Sequence, residues 1–591
     1  MNKSAKEEEN IISLEMLRAI QATSHGERIP YYFHNRRSNP SAGIERILRE
    51  GFPVVGGTFS IIPPLNWGEE MPGNREWQII RNAFFSVDYL LQAYAETQDQ
   101  KYFDIAADTA ADWVTFNLVQ ANPNRAKWSD ICCGLRAFYF AYILNNDPNL
   151  LVNFDRGILI LRGALAHSAE LLQPKNIAKS NHAIFQALGL ASLAEVFSFL
   201  PQATEWSKVA VNILTNLIVN QYGKEGVHLE HSPYYHGWVL ERIKQVAKMP
   251  WFLNSSEIWR TIALAEENYV HFFHPNGSLA EFGESSPATI HWVKNIHPYA
   301  EWGTSKGNSG QEPPITDVVH REAGFAIVRD SFKAGLGSSY LIMAAGHHSR
   351  SHKQDDCTTF EWSDFGQKII IDSGKYAYDF DEKRDYVMSR RGHNVVEIEG
   401  TKFDASNAYG AGRLSLSYGE SGTKILSVSL PNESPYQNIK RKIAIKHGEY
   451  IVCVDVIHVP SGKTEICHQR FHLHPSLTQT DKQQESPTFE MDDNIKVYAY
   501  SLSDPGKETV QVGVTTPQLQ GWMSPNYGIL TPTPCVTITK EITGMAVLAT
   551  LFRVSKEQLV VTSPKVELLD DELLISWADN KNNAIKFSLS N

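Results

Sequence analysis

The chain has 591 residues, 42% of them hydrophobic and 20% charged, an ordinary globular composition with length enough for two to four domains. It excludes a disulfide-stapled mini-protein, a collagen-like fibre and a mainly disordered chain. Lys plus Arg number 55 against 66 Asp plus Glu, a formal net charge of −11; a diffuse nucleic-acid role is therefore not expected, although a local basic cleft for an acidic substrate remains compatible.

The first twenty residues read as a charged helix without the apolar core of a signal peptide. No stretch approaches the roughly 18 apolar residues of a membrane span. A soluble protein is expected, either cytoplasmic or exported with its signal removed, and without a membrane partner. Cys132, Cys133, Cys357, Cys453, Cys467 and Cys535 form no C-x-x-C pair, which favours buried free thiols in a reducing compartment.

From Ile79 to Phe273 apolar residues recur every three to four positions, beginning with Ile79, Phe84, Tyr89, Leu90 and Tyr94. Similar stripes run through 102–118, 135–144, 158–172, 182–200, 205–220, 238–247 and 257–273. Asn122-Pro123, Asp147-Pro148 and Gln173-Pro174 punctuate them. Successive helices with short connections predict antiparallel hairpins closing into an α/α toroid. Residues 304–316 are rich in Gly, Ser and Pro, a linker signature. Beyond them the period falls to two, as in Tyr340–Ala344, Ile451–Val456 and Leu573–Trp577, which predicts antiparallel sheets. The expected class is a multidomain α+β chain. A toroid (1–303) precedes a linker (304–316) and a β-sandwich (317–591), with a cleft expected at their junction.

Four polar clusters interrupt this pattern. Ser180-Asn181-His182 opens a helix, as ordinary capping residues or as a receiver for an anion. Glu230 to His236 compresses proton-transfer side chains at another helix start, where Ser232-Pro233 also reads as plain helix entry. His347 to Asp356, and Asp372-Ser373-Gly374 followed by Arg390-Arg391-Gly392-His393, suggest an anion or metal site.

The ordered set of these pieces resembles the heparinase II/III-like polysaccharide lyases over nearly the whole chain. It comprises Trp128-Ser129-Asp130 with Gly134-Leu135-Arg136, Ser180-Asn181-His182, Glu230 with Ser232-Pro233-x-Tyr235-His236, Pro275 to Leu279, Phe282-Gly283-Glu284-Ser285, His352-x-Gln354-x-Asp356, Asp372-Ser373-Gly374, Arg391-Gly392-His393-Asn394 and Glu399-Gly400. The resemblance implies the toroid-plus-sandwich fold and β-elimination next to a uronic acid. It implies that Asn181 and His182 neutralise the carboxylate and that Tyr235 is the general acid, also serving as base for one C5 configuration. His352 is then the base on the opposite face. Arg136, Trp128, Glu230, His236 and Arg391 are the expected substrate contacts.

The family's metal position maps to Gln354, Asp372 and His393. Glutamine is a poor zinc ligand but an acceptable oxygen donor, so the alternatives are one structural divalent ion (zinc, calcium or manganese) and a metal-free network. No organic cofactor is expected. The expected partner is an acidic polysaccharide or oligosaccharide, with a homodimer as the assembly. Glycosaminoglycans such as hyaluronan, chondroitin or heparan-type chains lead, with alginate or another bacterial polyuronate as the alternative. The rival readings are a glycoside hydrolase using two of Glu230, Glu281 and Glu284, and a catalytically silent polysaccharide-binding protein.

Overall fold

The computed structural model describes residues 3–23, 29–32, 38–54, 56–71, 75–285, 296–333, 338–378, 381–481, 486–502, 506–559, 562–569, 572–578 and 582–588. Two compact units emerge. One comprises Met1–Asn220 with Arg242–Arg260; the other comprises Gln221–Glu241 with Thr261–Asn591. The fold class is the expected one, a helical toroid followed in sequence by antiparallel sheets.

In the helical unit the predicted stripes become the helices Arg75–Asn82, Phe85–Thr97, Gln100–Val114, Asp130–Asn146, Phe154–Leu171 and Ala183–Val196. The first stripe is two helices rather than one, because Phe84 adopts a left-handed backbone with φ 62°. The helix Ala183–Val196 differs from an ordinary amphipathic element in that every residue except Glu195 is buried. It crosses Asp130–Asn146 at two glycines. A Cβ on Gly134 would lie 2.5 Å from the Gln186 nitrogen, and one on Gly189 would lie 2.7 Å from Ala137 Cβ and closer still to the Gly134 carbonyl. Backbone-to-backbone packing of this kind admits no side chain at either position.

The second unit contains an eight-stranded antiparallel sheet in the order Arg413–Tyr418, Lys424–Ser429, Ile439–Lys446, Tyr450–His458, Met545–Ser555, Ile495–Ser501, Thr488–Met491, Thr478–Asp481. One face packs on a four-stranded sheet containing Thr464–His472 and a five-stranded sheet containing Tyr340–Ala344. The other face packs on the hairpins of Thr562–Leu569, Glu572–Ala578 and Asn582–Ser588. The strand Tyr450–His458 serves both cores: Ile451, Cys453 and Ile457 face one, Val452, Val454 and Val456 the other. Burial on both faces explains why its sequence is apolar throughout. Its one charge, Asp455, is buried and paired with Arg441 through two bonds of 2.7 Å. Among the described residues no helix is long and apolar enough to cross a membrane, and all six cysteines are buried free thiols.

Candidate active site

The second unit gathers Tyr235, His352, Glu230 and Glu284, residues separated by up to 122 positions in the chain. The helix Pro233–Ala247 begins as the sequence suggests. Ser232 Oγ accepts the Tyr235 amide at 3.3 Å, and Ser285 Oγ accepts the Tyr234 amide at 3.2 Å. Both hydroxyls satisfy helix-start donors that would otherwise be orphaned. Just upstream, His231 holds the histidine-rich loop. Its Nδ1 donates to the Ser351 carbonyl at 3.1 Å and its Nε2 accepts the His348 amide at 2.8 Å. Burial keeps its pKa well below the usual histidine value, so the ring is neutral and its tautomer is set by those two bonds.

The loop delivers His352 in a left-handed conformation, φ 54°. Gly283, with φ 56°, lies beneath it; a Cβ there would come within 2.7 Å of the His352 carbonyl. His352 Nδ1 is 2.6 Å from Glu284 Oε2, and its Nε2 is 3.6 Å from Glu230 Oε2. Glu284 Oε1 accepts from Arg384 at 2.7 Å. Burial alone would raise the Glu284 pKa, but His352 and Arg384 outweigh it and hold the carboxylate at about 2. An ionised Glu284 fixes the imidazole with its hydrogen on Nδ1, leaving the Nε2 lone pair to accept a proton. This is the orienting arrangement of a carboxylate behind a histidine base.

The Tyr235 ring stacks on the His352 ring, centroids 3.5 Å apart and planes within 14°. Burial, with Tyr378 and Glu284 adding to it, pushes the Tyr235 pKa up, so the residue is a phenol that gives a proton rather than a phenolate that takes one. The expectation that His352 approaches from the face opposite Tyr235 is corrected by this stacking, since no sugar ring fits between rings in contact. Tyr235 hydroxyl is 2.6 Å from Tyr378 hydroxyl. Tyr378, Lys375 and Arg384 escaped the sequence reading; the run of aromatic and cationic residues after Asp372-Ser373-Gly374 was the one available signal.

In the helical unit, His182 precedes the helix Ala183–Val196 without a side-chain capping bond. Its Nδ1 is 3.0 Å from Asp130 Oδ1, and that contact lowers the Asp130 pKa. Asn181 and His182 are half-buried, and the capping role open to Ser180 and Asn181 is not the one adopted.

Two expected substrate contacts are corrected. Arg136 is fully buried. It donates to the Asn82 and Lys127 carbonyls and, at 3.0 Å, to His167, and its guanidinium lies 4.1 Å over Trp113. It braces the loop before Trp128, which is half-buried against His167. His236 is likewise a core residue, bonded to the Ala265 carbonyl at 2.8 Å and stacked on Tyr269. Arg391 is half-buried and pairs with Gln518. Glu230 stays beside His352, its Oε1 accepting from Gln221 at 3.3 Å.

Gln354, Asp372 and His393 are also together and fully buried. His393 Nδ1 is 3.0 Å from both Asp372 oxygens, Thr359 hydroxyl bonds Asp372, and Gln354 Nε2 bonds the Gly374 carbonyl at 3.1 Å. Among the described residues no group of three or more His, Cys, Asp or Glu is placed to hold a metal. Gln354 Oε1 and His393 Nε2, however, are buried without a protein partner, and one amide oxygen with one carboxylate suits a harder cation.

Against known proteins, residues 46–304 match the heparinase II/III N-terminus and residues 313–578 match the heparinase II/III-like C-terminal domain. A heparin-sulfate lyase of Bacteroides stercoris is 24% identical over 59% of this chain and 53% of its own length. One from Pedobacter heparinus is 20% identical over 68% and 63% respectively, so the chain spans roughly half to two thirds of these relatives. A crystal structure of heparinase III superposes with a TM-score of 0.76 at 16% identity, covering 98% of each chain. The two matched domains and the fold together identify the chain as a member of the heparinase II/III-like family.

Proposed function

We propose that this protein is a lyase that cleaves an acidic, uronate-containing polysaccharide by β-elimination. A base takes the C5 proton, the bond from C4 to the glycosidic oxygen breaks, and that oxygen takes a proton. The new end carries a C4–C5 double bond conjugated to the carboxylate. The observation that carries this reading is the pairing of a protonated Tyr235 with a His352 whose Nδ1–H is tied to an ionised Glu284. His352 Nε2 receives the C5 proton, and Glu230 and Glu284 stabilise the resulting imidazolium. Tyr235 gives its hydroxyl proton to the departing oxygen. Neutralising the substrate carboxylate, which makes the C5 proton acidic enough to remove, is assigned to Asn181 and His182 by residue type and by the uncapped helix start they occupy.

A hydrolase reading is served less well by Glu281 and Glu284. Glu284 is held near 2, and Glu281, although burial raises its pKa, is fully buried with one oxygen bound to Lys368 at 2.6 Å, so neither presents a protonated carboxyl to a glycosidic oxygen.

Base and acid standing side by side favour a uronate whose C5 hydrogen and C4 oxygen lie on the same side of the ring. D-glucuronate has that configuration and L-iduronate does not. The heparin-sulfate lyase relatives support a glycosaminoglycan, so the proposed substrate is a glucuronate-rich, lightly sulfated chain. A hard cation held by Gln354, Asp372 and His393 belongs to the same proposal; when bound it would supply fixed positive charge beneath the histidine loop and touch no substrate. Metal analysis of the purified protein, with melting in the presence of chelator, tests it: no bound metal and no melting shift would remove it.

The function is tested by incubating the protein with heparosan, heparan sulfate, heparin, hyaluronan, chondroitin and alginate while following the ultraviolet absorbance of the unsaturated uronate. A rise with glucuronate-rich chains is expected. A rise confined to iduronate-rich heparin would overturn the side-by-side stereochemistry. New reducing ends without absorbance would overturn elimination itself.

A further inference from the structure

Tyr235 can act as an acid on every turnover only if its hydrogen points at the substrate and is replaced afterwards. The structure holds a device for both. Tyr378 Oη lies 2.6 Å from Tyr235 Oη, and Lys375 Nζ lies 2.6 Å from Tyr378 Oη. An ammonium only donates, and a phenol has a single hydrogen with two acceptor positions. Tyr378 therefore accepts from Lys375, and that cation makes its hydroxyl the better donor of the pair, which favours the Tyr378 hydrogen lying on Tyr235 although the geometry admits either direction. Tyr235 oxygen, accepting that bond, is left with its hydrogen directed away from Tyr378. The direction of the chain is thus biased from its cationic end.

The relay is built into its surroundings. The Lys375 ammonium sits 4.0 Å over the Tyr378 ring and 5.7 Å from the Tyr527 ring. Tyr378 N–H donates to Tyr527 hydroxyl at 3.3 Å. Arg384, which bonds the Ala377 carbonyl and Glu284, lies 5.6 Å from the centre of the Tyr378 ring. Lys375 is half-buried and Tyr378 is 38% exposed, so the outer end of the chain meets solvent while the inner end is the stacked Tyr235.

We propose that Lys375 and Tyr378 are positioning residues forming a one-way proton relay to Tyr235, an inference that rests on the elimination reading above. When Tyr235 gives its proton to the departing oxygen, the Tyr378 proton moves to Tyr235, a Lys375 proton moves to Tyr378, and Lys375 takes one from solvent. His352 releases the C5 proton to solvent, so no electrons are exchanged and the proton count balances over the cycle. While Tyr235 is anionic, the Tyr378 hydrogen bond and the Lys375 charge behind it stabilise the phenolate.

The test compares Tyr378→Phe, Lys375→Met, Lys375→Arg and the double variant Lys375→Met/Tyr378→Phe with the unaltered full chain, measuring kcat and KM across pH. Tyr378→Phe and Lys375→Met are each expected to lower kcat by about 10- to 100-fold with KM nearly unchanged. The double variant should be no slower than the worse single, because both interrupt one path. Lys375→Arg keeps the charge and the donor but cannot release a proton, so it should hold Tyr378 in place yet stay slower than the unaltered chain. Unchanged kcat in both single variants, or a loss appearing only in KM, would overturn the relay while leaving the lyase reading intact. If Tyr378→Phe fails to fold, an unchanged kcat in Lys375→Met would overturn it by itself. Absence of elimination by the unaltered chain on any uronate polymer would overturn the lyase reading and the relay with it.

Discussion

Replacing Glu284 by glutamine removes one charge and little volume, and it should break the site in two measurable ways. The carboxylate is buried, with charge-assisted contacts of 2.6 Å to His352 and 2.7 Å to Arg384. Its pKa is lowered from 4.5 to about 2. At 1.36 kcal/mol per unit, that depression corresponds to about 3 kcal/mol of stability at neutral pH. Because the folded-state value is the lower one, the contribution is fully present above pH 4.5 and is lost as pH falls toward 2. Glu284→Gln should therefore be destabilised by about 3 kcal/mol at pH 7, a gap that closes as the unaltered protein is acidified. The second effect is on the base. A glutamine amide satisfies one of its two donor neighbours and presents NH₂ to the other, so the imidazole no longer keeps its hydrogen on Nδ1. A comparable carboxylate-to-amide change behind a histidine base costs about 10⁴-fold in rate. Denaturant midpoints at several pH values and initial absorbance rates measure both. A variant keeping more than about a tenth of kcat would refute the orienting role, and an unchanged midpoint at neutral pH would refute the ion-pair argument.

Three further outcomes are expected. Tyr235→Phe deletes only a hydroxyl and should reduce elimination by at least about 100-fold with melting nearly unchanged; near-normal turnover would remove its proton-donor role. Asn181→Ala should lower kcat by about 100-fold or more, whereas a rise in KM alone would mark Asn181 as a simple substrate contact. Gly189→Ala would ordinarily favour a helix, but its Cβ would be driven into Ala137 and the Gly134 carbonyl. A loss of about 1–3 kcal/mol is therefore expected, and a higher melting temperature would contradict the packing argument.

The sequence by itself determined the order of elements and their type, because helical and strand periodicities are local properties of neighbouring residues. The stripes between Ile79 and Phe273 became helices and the alternating runs after the linker became strands. Ser232-Pro233 marked a true helix start, since capping chemistry is also local. The order of the polar motifs was enough to identify the family. Tertiary structure alone decided what each polar side chain touches. Arg136 and His236 carry residue types suited to binding a uronate, yet both are buried with their polar atoms spent on backbone carbonyls and core rings. Glu284 lay in a recognised motif, but its task depends on His352, 68 positions onward, and on Arg384, 100 positions onward. Tyr378 and Lys375 matter because they stand next to Tyr235, which lies 143 positions away from Tyr378. Periodicity specifies which face of an element is apolar and so is written in each segment. A hydrogen bond between distant segments is specified only when both are held in place by cores such as that shared by Ile451, Phe471 and Leu341, and no local pattern encodes that coincidence.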